Sequence, residues 1–138
     1  MKRLTLLSLV FISLISAAQQ VWPSELLLTP EKSNFEKTSS YADVMAFVNS
    51  IKAKSSNIHV ISMGKSLEGK DIPVAILSRP LIKTAEETKT SGKPVIYIQG
   101  NIHAGEVEGK EAVLMLMRDI LLGSKSHLLD NQIILFAP

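Results

Sequence analysis

The apolar residues after Ser40 repeat with the period of a helix. They fall at i, i+3, i+4 and i+7, so they lie on one face of that helix. The residues of this face are Val44, Phe47, Val48 and Ile51. Ser40 and Asp43 stand three residues apart, as in a capping box with Asp in place of Glu. The pattern predicts a helix that starts at this cap and covers a sheet.

Two short runs rich in β-branched and apolar residues follow, at 58–63 and 72–77. The segment 64–71 between them contains two glycines and several charges, which is typical of a hairpin loop. Pro80 ends the second run. The polar stretch 84–93 then predicts a solvated loop or a short surface helix.

A second set of elements follows with a different pattern. The continuous apolar run 94–99 predicts a central strand that is buried on both faces. Helical spacing over 107–122 predicts a long helix with a broad apolar face, which stops at Gly123. The run 132–137 predicts another buried strand. Strand, helix and strand in this order predict a right-handed βαβ unit with a parallel pair of strands.

These elements predict an α/β fold, preceded by a different kind of segment. Residues 19–40 contain two prolines and mix short apolar pieces with Ser, Asn and Lys, so we expect an irregular lead-in. Residues 41–138 are expected to form one domain. Because the chain stops directly after a core strand, we expect this to be the N-terminal part of a larger, truncated domain.

The first eighteen residues have the composition of a secretory signal peptide. A basic start precedes an apolar run at 4–15, and residues 16–18 are the small residues Ser-Ala-Ala. The run is shorter than the ~20 apolar residues of a transmembrane helix. We expect cleavage after Ala18, with an uncleaved anchor as the alternative. The mature protein is then expected to be secreted or periplasmic, without stable membrane association.

The composition excludes several classes of protein. The 138 residues include no cysteine, which excludes a disulfide-stapled miniprotein and a lipid-modified N-terminal cysteine. Lys and Arg number 15 against 13 Asp and Glu, and the formal net charge of +2 comes from Lys2 and Arg3 in the leader. Without a longer basic run, the chain lacks the charge pattern of a nucleic-acid-binding protein.

Candidate chemistry is concentrated in the turn between the 94–99 strand and the next helix. Ligands bind outside the carboxyl ends of the strands in open α/β sheets, and this turn lies there. His103 and Glu106 are three residues apart, so an imidazole nitrogen and a carboxylate oxygen can approach one metal cation. Gly105 would allow the sharp turn. Alternatively, His103 makes a local hydrogen bond and Glu106 stabilises the helix N-terminus through its dipole.

Other polar residues near this turn have simpler interpretations. We expect Glu108 and Glu111 on the solvated face of the helix, paired with surface groups such as Lys110. The side chain of Asn101 could orient His103 or close an Asx-turn, and the turn is the favoured interpretation.

Several segments, in this order, resemble the M14 family of zinc metallocarboxypeptidases, the carboxypeptidase A type. Gly-Asn-Ile-His-Ala-Gly-Glu at 100–106 follows a strand and opens a helix, as the HxxE zinc motif of that family does. Tyr-Ala-Asp-Val at 41–44 and Gly-Lys-Ser-Leu-Glu-Gly at 64–69 are similar to its lead-in. The resemblance implies a three-layer α/β/α fold around a central mixed sheet, with only the N-terminal half present.

The resemblance implies that His103 and Glu106 are two of three protein ligands of a Zn²⁺ ion. The second His and the Glu general base of the family lie well downstream of the motif, so both are expected beyond Pro138. No catalytic residue is therefore assigned within the chain. His59, in the first strand run, and His127, after the last helix, are poorly placed to substitute.

The implied activity is hydrolysis of the C-terminal bond of a peptide substrate by a metal-activated water. A carboxylate would accept the proton of that water. Digestive members place an Arg where this chain has Gly105, so the side-chain preference stays open. The chain by itself is expected to be inactive, and the sequence indicates no oligomeric state. Two alternatives remain: an amidohydrolase acting on acyl-amino acids or cell-wall peptides, and a non-catalytic exported binding module.

Overall fold

The computed structural model describes residues 21–103 and 105–138, so the signal peptide expected at 1–18 lies outside the described residues. The helices are α1 (Thr29–Lys32), α2 (Tyr41–Lys54), α3 (Ala85–Ser91) and α4 (Val107–Leu122). The strands are β1 (Ile58–Lys65), β2 (Asp71–Leu77), β3 (Val95–Gln99) and β4 (Ile133–Ala137). Single 3-10 turns lie at Ser24–Leu26 and Ser126–Leu129. In this part of the chain, every helix is too short or too polar to span a bilayer.

The four strands form one mixed sheet in the order β1-β2-β4-β3. β1 and β2 pair as an antiparallel hairpin, and β2 continues antiparallel to β4. β4 is parallel to β3, from Val95 opposite Ile133 to Gln99 opposite Ala137. The predicted hairpin and the predicted parallel pair joined by a helix are both confirmed.

Helix α2 begins at the predicted residue because its capping box forms. Ser40 Oγ accepts a hydrogen bond from the Asp43 amide at 3.2 Å, and Asp43 Oδ2 accepts one from the Ser40 amide at 2.8 Å. The predicted apolar face is buried in the core, as Val44, Phe47, Val48 and Ile51. Local side-chain chemistry therefore sets both where α2 begins and which face it buries.

Helix α4 has the bounds that the sequence predicts, and Gly123 follows its last residue. Its apolar face contributes Val113, Leu114, Met117 and Ile120 to the core. These residues form one cluster with the buried face of α2 and with strand residues such as Phe136 of β4. Burying the faces of α2 and α4 against the same side of the sheet joins the two halves of the described chain into one core.

Helices lie on both faces of the sheet. Ala75 and Leu77 of β2 belong to the core under α2 and α4, and the alternation of side chains puts Ile76 on the opposite face. There, Ala85 of α3 lines a groove together with Ile76 and Leu135. Helix α3 buries none of its own residues, which confirms the short surface helix predicted within 84–93. The layers agree with the predicted α/β architecture.

Strand β3 lies at the edge of the sheet, so the prediction of a central strand buried on both faces is wrong for the described residues. β4 lies between β2 and β3, and β3 pairs with β4 alone in the described part of the chain. Val95, Ile96 and Tyr97 are 37 to 48% exposed. An apolar run indicates how much of a strand can be buried. The order of the strands in the sheet depends instead on where the crossover helix α4 returns the chain, which here is between β2 and β3.

The lead-in is more ordered than the predicted irregular segment. Leu26 and Leu28 are buried in the core. Arg118 of α4 donates to the Leu26 carbonyl at 2.6 Å and to both carboxylate oxygens of Glu31, at 2.7 and 2.8 Å. Its guanidinium also stacks 4.8 Å from the ring centre of Trp22. The prolines prevent a long helix, but they allow single helical turns, and leucines within or directly beside these turns fill the core.

Replacing Glu31 with Gln is expected to lower the free energy of unfolding by about 3 kcal/mol. The substitution leaves the Arg118 guanidinium, in a residue only 4% exposed, without its charged partner. Chemical denaturation measures the loss. The exposed Glu36→Gln variant makes the same chemical change and should stay within about 0.5 kcal/mol of wild type. Equal losses in the two variants would contradict a stabilising role for the Arg118–Glu31 pair.

The same pair makes this stability difference depend on pH. Burial alone would raise the pKa of Glu31, but hydrogen bonds from Arg118 and from the Leu28 amide hold its pKa below the ordinary 4.5. A carboxyl whose pKa is lowered by folding stabilises the protein above its unfolded pKa and loses that contribution as the pH falls through the folded pKa. The advantage of wild type over Glu31→Gln should therefore be complete at pH 7 and shrink below about pH 4.5.

Candidate metal centre

The loop between β3 and α4 lies at the carboxyl ends of two parallel strands. The amide of Gly100 donates to the carbonyl of Ala137 at 2.9 Å, which places the start of the loop beside the end of β4. Asn101 and Gly105 have positive φ angles, 52° and 94°, a region that Gly and Asn tolerate best. These two residues turn the chain sharply and bring His103 to the sheet edge where the sequence predicted it.

The Glu106 carboxylate contacts His103 at two points. Glu106 Oε1 lies 2.7 Å from His103 Nδ1, and Oε2 accepts a hydrogen bond from the His103 amide at 3.2 Å. The Glu106 amide donates to the His103 carbonyl, also at 3.2 Å. The side-chain and backbone hydrogen bonds with His103 hold the pKa of Glu106 below its ordinary value. The carboxylate is therefore ionised at neutral pH, next to an imidazole nitrogen.

This pair has the donor chemistry of two zinc ligands. Two donors in a tetrahedral zinc site, each about 2.1 Å from the ion, are about 3.4 Å apart. His103 Nδ1 and Glu106 Oε1 would have to separate by less than an ångström from their 2.7 Å contact. Their side chains are 77% and 54% exposed, so this movement does not disturb the core. His103 makes the local hydrogen bond that is expected if the pair binds no metal. The same hydrogen bond is also compatible with zinc binding.

The other two histidines lie away from this pair. His59 belongs to β1, and His127 belongs to the 3-10 turn after α4. Across residues 21–103 and 105–138, no group of three or more His, Cys, Asp or Glu comes together as a metal site. The described residues thus bring together two donors, His103 and Glu106.

Comparison with protein families decides the relationship. The family model described as zinc carboxypeptidase, Peptidase M14, matches residues 44–138, which is more than half of the chain. The chain belongs to the zinc carboxypeptidase family. This membership confirms the resemblance drawn from the sequence, and the matched range contains the whole β3–α4–β4 unit and its loop.

Three solved structures share the fold of this chain. Carboxypeptidase A from Helicoverpa armigera is 25% identical, with a TM-score of 0.62 over 74% of this chain and 24% of that chain. Thrombin activatable fibrinolysis inhibitor is 17% identical, with a TM-score of 0.61 over 77% of this chain and 26% of that chain. A metallo-carboxypeptidase from Burkholderia cenocepacia is 20% identical, with a TM-score of 0.58 over 72% of this chain and 26% of that chain.

These similarities confirm the predicted α/β fold with a central mixed sheet. At identities of 17 and 20%, the last two show the fold alone. The chain spans about a quarter of the length of the structures it matches, between 24 and 26%. The comparison with curated proteins found no match.

Glu111 is buried, so its predicted place on the solvated face of the helix is wrong. The residue is 8% exposed. Its Oε1 accepts hydrogen bonds from Thr38 Oγ1 at 2.7 Å and from the Ser39 amide at 2.6 Å, and its Oε2 accepts one from Ser39 Oγ at 2.8 Å. Helical spacing cannot show that the end of the lead-in crosses the start of α4 here. Glu108, three residues earlier, is exposed as expected.

Gly100 is a residue to which the sequence assigned no individual role. A Cβ atom at this position would lie 2.7 Å from the carbonyl carbon of Gly109 and 2.8 Å from the amide nitrogen of Lys110. The start of the β3–α4 loop therefore packs directly on the backbone of the first turn of α4. Gly100 and Gly109 stand on either side of the HxxE motif in the sequence. Their positions alone do not show that the two backbones are in contact.

A cavity of about 560 Å³ lies between the lead-in and the outer face of α4. Phe35 and Lys37 line it from the lead-in, and Val107 and Met115 line it from the helix. Neither His103 nor Glu106 lines this cavity, so the cavity is separate from the two ligand candidates.

Proposed function

We propose that this chain is part of an exported zinc metallocarboxypeptidase that hydrolyses the C-terminal peptide bond of peptide substrates. One observation carries the proposal: a histidine and a glutamate meet at 2.7 Å at the carboxyl edge of the sheet, in a member of the zinc carboxypeptidase family. Ligands bind at this edge in open α/β sheets, which supports the position as an active site. The basic and apolar leader at 1–18 supports export, to the periplasm or outside the cell.

In this proposal, His103 and Glu106 hold the zinc ion through an imidazole nitrogen and a carboxylate oxygen. The ion, when bound, supplies Lewis-acid chemistry for hydrolysis of a peptide bond. The exposure of both side chains at the sheet edge leaves a peptide room to approach. The third ligand and the general base are proposed to lie in sequence that follows residue 138. Two ligands without them should bind zinc loosely, so the 138 residues by themselves are expected to show no turnover.

The longest native form of the protein, recovered from outside the cytoplasm, tests the proposal. We expect it to begin at Gln19, to contain one zinc ion per chain and to release C-terminal amino acids from peptides in a reaction that a chelator stops. Mass spectrometry, metal analysis and a panel of peptide and acyl-amino-acid substrates measure these properties. Cleavage of acyl-amino acids alone would favour the amidohydrolase alternative. A zinc-free protein that binds peptides without cleaving them would contradict the enzyme and favour a binding module.

A further inference from the structure

The first turn of α4 is tied to the residues just before α2 by a buried polar cluster. We call it the Ser39 cluster, and its members are Thr38, Ser39, Lys110 and Glu111. The Lys110 ammonium donates to the Ser39 carbonyl, while Glu111 accepts from the Ser39 amide and from its hydroxyl. Ser39, Lys110 and Glu111 are all buried. The backbone amide, the backbone carbonyl and the side-chain hydroxyl of Ser39 therefore all make hydrogen bonds to Lys110 or Glu111, which are consecutive residues of α4.

Helix α4 needs such an anchor because its own N-terminus lacks the usual side-chain cap. Glu106 occupies the N-cap position, and among the described residues its side chain makes no capping hydrogen bond. Its carboxylate is hydrogen-bonded to the His103 imidazole instead. The first amides of a helix lack partners within the helix, so an uncapped end frays unless other contacts hold it.

The Ser39 cluster is well placed to hold this end. Lys110 lies one helical turn after Glu106, so it stands on the same side of the helix. On the other side of the cluster, Ser39 directly precedes Ser40, the N-cap residue of α2, whose own capping box is formed. The cluster thus connects an uncapped helix start to a capped one. Rotation or fraying of the first turn of α4 would break these bonds and move Glu106 away from His103.

We propose that Glu111 is a positioning residue for the two proposed zinc ligands, His103 and Glu106. Through the Ser39 cluster, its carboxylate holds the first turn of α4 in the orientation that brings Glu106 to His103. The inference rests on the proposed function, because it assigns a role to Glu111 only if this pair binds zinc. Glu111 itself is hydrogen-bonded to Thr38 and Ser39, and among the described residues it makes no hydrogen bond to His103 or Glu106.

The variant Glu111→Gln tests the role with little change of shape. An amide group replaces one carboxylate oxygen, so a donor faces the donors of Thr38 and Ser39, and Lys110 loses its buried counter-charge. In the longest native form, we expect zinc affinity, measured by competition with a chromogenic chelator, to fall about tenfold. We also expect the visible absorption spectrum of the cobalt-substituted protein to change, because the ligand geometry is altered.

Two controls separate positioning from a general loss of stability. Glu108→Gln makes the same change at an exposed site three residues away and should alter zinc affinity less than about twofold. Ile51→Val removes one buried methylene from the core of α2, outside the cluster, and should lower stability without changing zinc affinity or the cobalt spectrum. Circular dichroism confirms that each variant is folded at the temperature of the titration.

The possible results separate this inference from the proposed function. If wild type binds zinc and Glu111→Gln binds it equally tightly, the positioning role is overturned while the proposed function stands. If wild type itself binds no zinc, both are overturned. Should Glu111→Gln fail to fold, Ser39→Ala removes only the hydroxyl of the cluster, and a loss of zinc affinity of about twofold to threefold is then expected. Unchanged affinity in Ser39→Ala would overturn the role.

Discussion

Replacing His103 with alanine is expected to weaken zinc binding by the longest native form more than about a hundredfold. Loss of residues that only support a metal ligand typically costs 10-fold to 100-fold in affinity, so loss of a ligand itself should cost more. Glu106→Ala is expected to have an effect of similar size, and both variants should lose chelator-sensitive peptide hydrolysis. The side chains are exposed, so neither change removes core contacts. Isothermal titration with zinc measures the affinities.

His127→Ala is the matched control for this prediction. His127 is an exposed histidine at the far end of α4, in the 3-10 turn Ser126–Leu129, and should leave zinc affinity unchanged. Unfolding curves should show all three variants within about 1 kcal/mol of wild type. Unchanged zinc stoichiometry in both His103→Ala and Glu106→Ala would refute the metal centre and, with it, the enzyme.

Replacing Gly100 with alanine is expected to lower the free energy of unfolding by about 3 kcal/mol or more. Extra atoms in a well-packed region typically cost about 1–3 kcal/mol. Here the new methyl would lie 2.7 Å from the Gly109 carbonyl carbon and 2.8 Å from the Lys110 nitrogen, which are backbone atoms that no rotamer change can move. Relief requires the first turn of α4 to shift away from the end of β3. Chemical denaturation measures the loss, and zinc affinity should fall with it.

Gly109→Ala provides a control on the opposite side of the same contact. Its Cβ atom would lie 3.4 Å from the Gly100 Cα atom, which is an ordinary van der Waals distance. Alanine also favours a helix interior over glycine by about 1 kcal/mol. We therefore expect this variant to be as stable as wild type within about 1 kcal/mol. If Gly100→Ala were equally well tolerated, the close approach would not constrain the loop.

Helices α2 and α4 show which parts of the fold could be predicted. The start of α2 depends on Ser40 and Asp43, three residues apart, and its buried face depends on a spacing that is visible within three turns. The end of α4 is also visible locally, because Gly123 directly follows its last residue and glycine commonly ends a helix. The contact between the two proposed zinc ligands is equally local, because the hydrogen bond between His103 and Glu106 spans three residues around a sharp turn.

Strand β3 and Glu111 show which parts of the fold could not be predicted from the sequence. The apolar residues of β3 predicted burial on both faces, whereas in the described part of the chain β3 pairs on one side only, with β4, which lies between it and β2. Glu111 has the sequence pattern of a surface residue beside Lys110. It is buried because Thr38 and Ser39 supply three donors that match its two carboxylate oxygens. A charged group is buried only with such partners, and helical periodicity does not reveal them.

The sequence by itself determined helices α2 and α4 and the hairpin of this protein, the family to which it belongs, and the close spacing of His103 and Glu106 along the loop. Each of these follows from residues that are close along the chain. Only the tertiary structure decided the strand order, the burial of the lead-in, the contact of Gly100 with Gly109 and the Ser39 cluster. The bonds of that cluster join residues 71 to 73 positions apart. Such contacts depend on how whole elements pack, and packing leaves no periodic signal in a single sequence.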